Sequence, residues 1–261
     1  MLSKNRIKEL QSLSQKKFRN LSKTFLAEGD KIVFELLKSD FPCKELICTE
    51  KWFNEKGRGL GSKKELLITL AEEFQLEKIS SLSNPSEVIA VCTFPKEKNE
   101  VELENNLILF IDSVRDPGNL GTLIRLADWF GISHIVASED SVEWTNPKVI
   151  QSTMGSFIRI QPIYVNPASF FNNVKGKTEI FAADLTGENV YTSKLSNKGI
   201  LIVSSESHGL SESLEPFVDR RIHIPKFSEQ LSSAESLNVA TATAILLSEF
   251  KRKIYATGKF K

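Results

Sequence analysis

Cysteine, histidine and long apolar runs are what this 261-residue chain has least of. Its three cysteines, Cys43, Cys48 and Cys92, are an odd number with no C-x-x-C pair, which argues against a disulfide framework. Its three histidines, His134, His208 and His223, lack the spacing of metal ligands, so no metal is expected. No apolar run approaches the roughly 18 residues that span a bilayer, and the opening MLSKNRIKEL has neither a signal core nor a small-residue cleavage site. The expectation is a cytoplasmic protein with no membrane partner.

Net charge is also small, a formal +1, but it hides an asymmetry. Residues 1–30 carry Lys4, Arg6, Lys8, Lys16, Lys17, Arg19 and Lys23 against Glu9, Glu28 and Asp30, a net +4. Residues 251–261 carry five bases and no acid, which leaves −8 in the body between. A polyanion would be met at the ends, although basic termini also occur simply as solvated chain ends.

Apolar sequence is plentiful, at 41%, enough to fill a core in one large or two ordinary domains. It is interrupted by KEKNEVELENN, residues 96–106, where Val101 and Leu103 are the only apolar side chains. The expected division is a small α/β domain over 1–96, a linker over 97–105 and a larger domain over 106–261. In the first, RIKELQSL and KIVFELLKS have helical spacing, and ELICT and VIAVCTF read as strands. In the second, LILFI, HIVAS, IRIQPIYV, EIFAAD, GILIVSS and RIHIP read as strands between helices, one opening at Asn146 and Pro147 and the last in SLNVATATAILLSEFKRK. Short, uniformly apolar strands alternating with helices predict a largely parallel sheet covered on both faces. Such sheets bind ligands at the carboxyl ends of their strands.

Three strand-end segments follow from that rule. In SVRDPGNLGTLIRLADWFG, residues 113–131, Pro117 and Gly118 predict a turn, Asn119 an N-cap, and Leu120–Phe130 a helix stopped by Gly131. Its apolar stripe leaves Gly121 and Arg125 together on another face. Helical side chains lean toward the N-terminus, so Arg125 passes over bare Gly121 toward the strand-end loop, where a guanidinium and a helix's positive end suit a phosphate. The competing reading is a surface arginine paired with Asp128 or Asp116. SSESHGLSESL gathers Ser204, Ser205, Glu206, Ser207 and His208 after a buried strand, which also describes a polar capping turn. Ser236 and Asn238 open a helix whose next turns are small-residue packing, and an amide there can cap the helix or bind a ligand.

Taken in order, NLGTLIR, SSESHGL and IPKFSEQLSSAESLNVA resemble the three motifs of the SpoU, or TrmH, family of RNA methyltransferases. Asn119, Gly121 and Arg125 meet the first, Asn-x-Gly-x-x-x-Arg; Ile224, Pro225, Ser236, Leu237, Asn238 and Val239 meet the third. In the second, Ser204 and Ser207 stand where the family has glycines, while Glu206 and Gly209 are kept. The front unit, through FLAEGDKIVFELL and PSEVIAVCTFP, is similar to the family's N-terminal RNA-binding domain.

The resemblance implies an α/β fold: a C-terminal parallel sheet flanked by helices and tied in a deep trefoil knot, preceded by a small α/β RNA-binding domain. It implies methyl transfer from S-adenosyl-L-methionine to a ribose 2′-hydroxyl of structured ribosomal or transfer RNA, by a homodimer. By position it puts the cofactor among the backbone of Ser204, Ile224 and Leu237, and Asn119, Arg125, Glu206, Ser236 and Asn238 around the ribose. An arginine pKa above about 12 makes a poor base, so Arg125 is expected to hold a phosphate and polarise the hydroxyl. The serines keep a second expectation open, a non-catalytic RNA-binding relative with a weakened cofactor site, if the backbone at 204 needs the positive φ that favours glycine. A dinucleotide-binding oxidoreductase does not fit, because DPGNLG lacks the G-x-G-x-x-G spacing.

Overall fold

The uniformly apolar runs become strands. The structure, a computed structural model, describes residues 2–58, 66–96, 100–205, 209–228 and 235–256, the final four as backbone only. Its contacts divide the chain into two units, Met1–Glu97 with Glu143–Ile158, and Lys98–Val142 with Arg159–Lys261.

In the first unit, α1 (Lys4–Ser12), α2 (Lys16–Ser22), β1 (Thr24–Glu28), α3 (Asp30–Leu37), β2 (Cys43–Cys48), α4 (Glu50–Trp52), β3 (Leu67–Leu70), α5 (Glu73–Ile79) and β4 (Val88–Thr93) follow in order. The strands form a mixed sheet, β1-β4-β2-β3, with β4 antiparallel to both neighbours. Residues 143–158 join this unit through aromatic packing: the Phe25 ring of β1 meets Trp144 at 5.2 Å and Phe157 at 5.8 Å, both edge-on. An ion pair to Glu143 does the same for Arg19, which is 1% exposed and donates to the carbonyls of Leu13 at 2.7 Å and Ser14 at 2.8 Å. Burial lowers the Arg19 pKa to about 10, which still leaves it charged near neutrality beside its carboxylate. Of the seven N-terminal bases counted for a polyanion, Arg19 is therefore committed internally.

In the second unit, β5 (Leu107–Asp112), α6 (Pro117–Trp129) and β6 (Ile135–Ser138) come first. The chain then supplies α7 (Pro147–Thr153) to the first unit and resumes with β7 (Ile163–Val165), α8 (Pro167–Val174), β8 (Ile180–Asn189), β9 (Gly199–Ser204), β10 (Arg220–His223) and α9 (Val239–Ala256). The six strands lie in the order β10-β8-β9-β5-β6-β7, every pairing parallel. Ile108 and Phe110 of β5 and Ile200 and Ile202 of β9 share a core with Phe171 of α8, and α6 packs against α9. One strand is shorter than IRIQPIYV predicts: Ser156–Ile158 is a 3-10 turn, and Pro162 has no N–H for a ladder. Among the described residues, no helix is long and apolar enough to cross a membrane, and no group of three His, Cys, Asp or Glu could hold a metal.

The first helix of this unit starts three residues earlier than expected. Asp116, not Asn119, is its N-cap: the Asp116 Oδ1 accepts the Asn119 N–H at 2.8 Å. Proline is favoured at the first helical position because its φ is preset and it has no N–H to leave unpaired, so Pro117 opens the helix and Gly118 and Asn119 fall within its first turn. The stop is as expected. Gly131 has φ +63°, its N–H donates to the Asp128 carbonyl at 3.4 Å, and the Ile132 N–H donates to the Ala127 carbonyl at 2.8 Å.

The strand order reverses direction at β5. Its own connection leads outward to β6, whereas β9 lies on its other side. The carboxyl ends of β5 and β9 are thus the edge where a ligand crevice is expected.

Candidate active site

At that edge Asp112 and Ser204 are paired neighbours on β5 and β9. The chain leaves β5 through Ser113, a non-glycine residue held at φ +55°. Its N–H donates to the Ser138 Oγ at 2.8 Å, the Val114 N–H donates to the Ser141 Oγ at 3.2 Å, and these two buried hydroxyls bond each other at 2.9 Å. Nearby, burial raises the Asp140 carboxyl's pKa, but hydrogen bonds from Ser138, Ser113 and Arg115, with the Arg115 charge, outweigh it and leave the pKa below its ordinary value. The loop that delivers α6 is therefore anchored at consecutive backbone groups.

Relieved of capping, the Asn119 side chain faces another segment. Its Oδ1 accepts from the Asn238 Nδ2 at 2.9 Å, across 119 residues of chain. The Asn238 Oδ1 accepts the N–H of Ala240 at 3.0 Å and of Thr241 at 3.3 Å, which caps α9. Only an oxygen can accept from backbone amides, so that amide has one orientation, with its Nδ2 toward Asn119. Asn119 in turn presents its own Nδ2 donors.

Arg125 lies six residues beyond Asn119 on α6, about 9 Å along the axis, and is exposed. Neither acid in the competing reading takes it. Asp128 accepts from the Arg159 Nε at 3.0 and 2.9 Å and from its Nη2 at 2.7 Å, while Asp116 caps the helix. Arg125 makes no ion pair among the described residues.

Ser204 ends β9 in extended backbone, with none of the positive φ that would favour glycine. Among the described residues of this segment, Gly209 has the positive φ that favours glycine, +65°, and its N–H donates to the Ser205 carbonyl at 2.9 Å. Glu206, Ser207 and His208 lie outside the described residues. Ile224 directly follows β10, at the same carboxyl edge but with β8 between its strand and β9, and no described contact joins it to Asn119. Ser236 and Leu237 immediately precede Asn238 and are exposed. The residue missed from sequence is Asp112, only 1% exposed, whose one signal was an acid closing a wholly apolar strand.

These positions suit an adenosyl group carrying a sulfonium. Leu237 is left 44% exposed and Ile224 half-buried, apolar surface of the kind an adenine ring covers, and Ser204 adds neutral backbone at a strand end. None of the three brings a positive charge against a cationic sulfur.

The chain is similar to known proteins over most of its length. The family model described as SpoU rRNA Methylase family matches residues 106–248, and that of an MRM3-like substrate binding domain matches residues 4–90. The 23S rRNA (guanosine(2553)-2′-O)-methyltransferase RlmP of Bacillus subtilis is 31% identical over 93% of this chain and 94% of its own. A solved TrmH-family structure from Porphyromonas gingivalis aligns with a TM-score of 0.86 and 35% identity, over 97% of this chain and 99% of that one. The AdoMet-bound rRNA methyltransferase from Sinorhizobium meliloti aligns with a TM-score of 0.84 and 27% identity, over 97% of each chain. With its sheet, its joined first and third motifs and a family match over more than half its length, this chain belongs to the SpoU family of RNA methylases.

Proposed function

We propose that this protein is an S-adenosyl-L-methionine-dependent methyltransferase acting on a ribose 2′-hydroxyl of ribosomal RNA. The observation that carries the reading is the Asn119–Asn238 hydrogen bond, which joins two motif segments far apart in the chain at the carboxyl edge of the sheet. The names of the Bacillus relative and the AdoMet-bound Sinorhizobium structure support substrate and cofactor. The non-catalytic alternative loses its motive at position 204, where serine occupies ordinary extended backbone.

Residues 1–96, with 143–158 packed into the same unit, serve as the RNA-binding domain, 97–105 as the linker and the rest of 106–261 as the methyltransferase domain, threaded in the family's deep trefoil knot. The protein works as a homodimer in the cytoplasm on structured RNA, and Trp129 on α6, 83% exposed, is a large apolar side chain that a partner copy would cover.

Ser204, Ile224 and Leu237 hold the cofactor. Bound S-adenosyl-L-methionine supplies an electrophilic methyl group on a sulfonium. The protein's task is to align the ribose oxygen and help it lose a proton. Arg125 carries a charge and a planar fork of donors with no ion-pair partner among the described residues, and it grips the phosphate beside the target ribose and polarises the 2′-hydroxyl. Asn119 donates from its Nδ2 to an acceptor on the substrate, and Asn238 holds Asn119 in that orientation. Ser236, two residues before Asn238, and Glu206 complete the set around the ribose, and neither is assigned the proton.

The test is a calorimetric titration with S-adenosyl-L-methionine, together with a ribose-methylation map of total RNA from cells with and without the protein. Saturable binding and the loss of a methylated rRNA position are expected. No binding and an unchanged map would overturn the reading.

A further inference from the structure

We propose that Asp112 is a positioning residue for methyl transfer: its buried carboxylate fastens the segment that follows β9 to the end of β5, and so sets how Ser204 and Ser205 present their backbone to the cofactor. The inference rests on the methyltransferase reading above.

Asp112 gathers both arms of that segment. Its carbonyl accepts the Ser205 N–H at 3.3 Å. Its Oδ2 accepts the Ser211 N–H at 2.8 Å, and its Oδ1 accepts the Ser211 Oγ at 2.8 Å and the Ser113 Oγ at 3.2 Å. Ser205 and Ser211, six residues apart in sequence, are thus tied to one residue of the neighbouring strand. The Gly209 N–H also donates to the Ser205 carbonyl, at 2.9 Å.

The chemistry of the clamp is specific to a carboxylate. Among the described residues no cation pairs with Asp112, and the donors to its buried carboxylate there are neutral. Burying a carboxylate is costly unless its lone pairs are filled, and a purely structural strand end is served as well by an apolar residue. The carboxylate's distinction is that both of its oxygens accept. Asparagine in the same shape keeps one oxygen for the Ser211 N–H, but its NH2 group is met only if the Ser211 and Ser113 hydroxyls turn to accept, and the charge that strengthens these bonds is gone. Asp112 also stands where the chain departs for Asn119 and Arg125, so one residue is the common origin of the cofactor segment and the ribose-binding helix.

The experiment compares Asp112→Asn and Ser211→Ala with Asp219→Asn in the full-length protein. The Asp219 Oδ2 accepts the Ile180 N–H at 2.8 Å at the opposite, amino edge of the sheet, so its variant takes the charge from a similar carboxylate-to-backbone bond away from the site. Calorimetry with S-adenosyl-L-methionine, turnover, KM for RNA and Tm are measured for each. The expected result is a Kd for the cofactor raised about tenfold or more in Asp112→Asn and about threefold in Ser211→Ala, with KM for RNA unchanged. Asp219→Asn is expected to lower Tm and leave Kd as it was. An unchanged Kd in Asp112→Asn, or a Kd that tracks Tm equally in the Asp219 variant, overturns the clamp. Should Asp112→Asn fail to fold, Ser211→Ala decides, and wild-type affinity in it overturns the clamp. A wild-type protein that binds no cofactor overturns the functional reading itself, and the clamp with it.

Discussion

Asn238 uses the two ends of one amide for two purposes, its oxygen capping α9 and its nitrogen orienting Asn119. These purposes separate by substitution. Asn238→Asp keeps a good capping oxygen but has no donor for Asn119, so unfolding free energy should stay within about 0.5 kcal/mol of wild type while turnover falls roughly 10- to 100-fold. Asn238→Ala should lose both, with about 1 kcal/mol of stability gone as well. Thermal melts beside single-turnover methylation assays read the two effects. Arg125 offers the complementary case, an exposed guanidinium with no ion pair to break among the described residues. Arg125→Lys keeps the charge and loses the fork, so turnover should drop about 100-fold with cofactor affinity and Tm unchanged, and near wild-type turnover would remove the phosphate grip.

The helix α6 holds Asn119 in its first turn at the sheet edge and Arg125 about 9 Å further along its axis, and its start depends on Asp116. Asp116→Ala should cost about 1 kcal/mol and raise KM for RNA, because the fraying turn is the one that holds Asn119. The loop before α6 carries a pH dependence. Asp140 has a folded pKa below its unfolded value of about 3.9, so its contribution is present above that pH and is lost as pH falls through the lower folded pKa. Half-exposed and paired with Arg115, it should contribute under about 1 kcal/mol. The Tm difference between wild type and Asp140→Asn, measured from pH 7 down to pH 3, should therefore shrink toward zero at the acid end. At this scale the sequence was readable where burial is total: parallel strands covered on both faces appear as unbroken apolar runs, and β5 and β9 stand where LILFI and GILIV put them. It misled where two residues compete for one role. Asp116 and Asn119 are both good caps three positions apart, and only the preference of proline for the first helical position decides between them. Asp112 stayed hidden because its partner, Ser211, is 99 residues away.

Across the whole molecule, the pairing of Trp144 and Phe157 with Phe25 shows why residues 143–158 could not be assigned from sequence, since aromatic contacts over such separations leave no periodic trace. The same long-range pairing alters the charge argument. Arg19 is buried against Glu143, whereas Lys8 and Lys17 are exposed. If ribosomal RNA is gripped through this N-terminal charge, only the exposed bases release counterions on binding, at roughly 0.7 to 0.9 in log-log salt slope per phosphate neutralised. Replacing Lys8 and Lys17 together by Gln should flatten the salt dependence of RNA binding by about 1 to 2 units, with cofactor affinity untouched. Arg19→Gln should act oppositely, leaving the slope alone and costing about 2 to 3 kcal/mol of stability, because the Glu143 carboxylate keeps only the longer pair with Lys16 at 3.8 Å among the described residues. Filter-binding titrations between 50 and about 200 mM salt, set beside thermal melts, distinguish the two kinds of base. A slope unmoved by losing Lys8 and Lys17 would place the RNA on another face, and a slope lowered by Arg19→Gln at unchanged Tm would mean that Arg19 swings out to meet it.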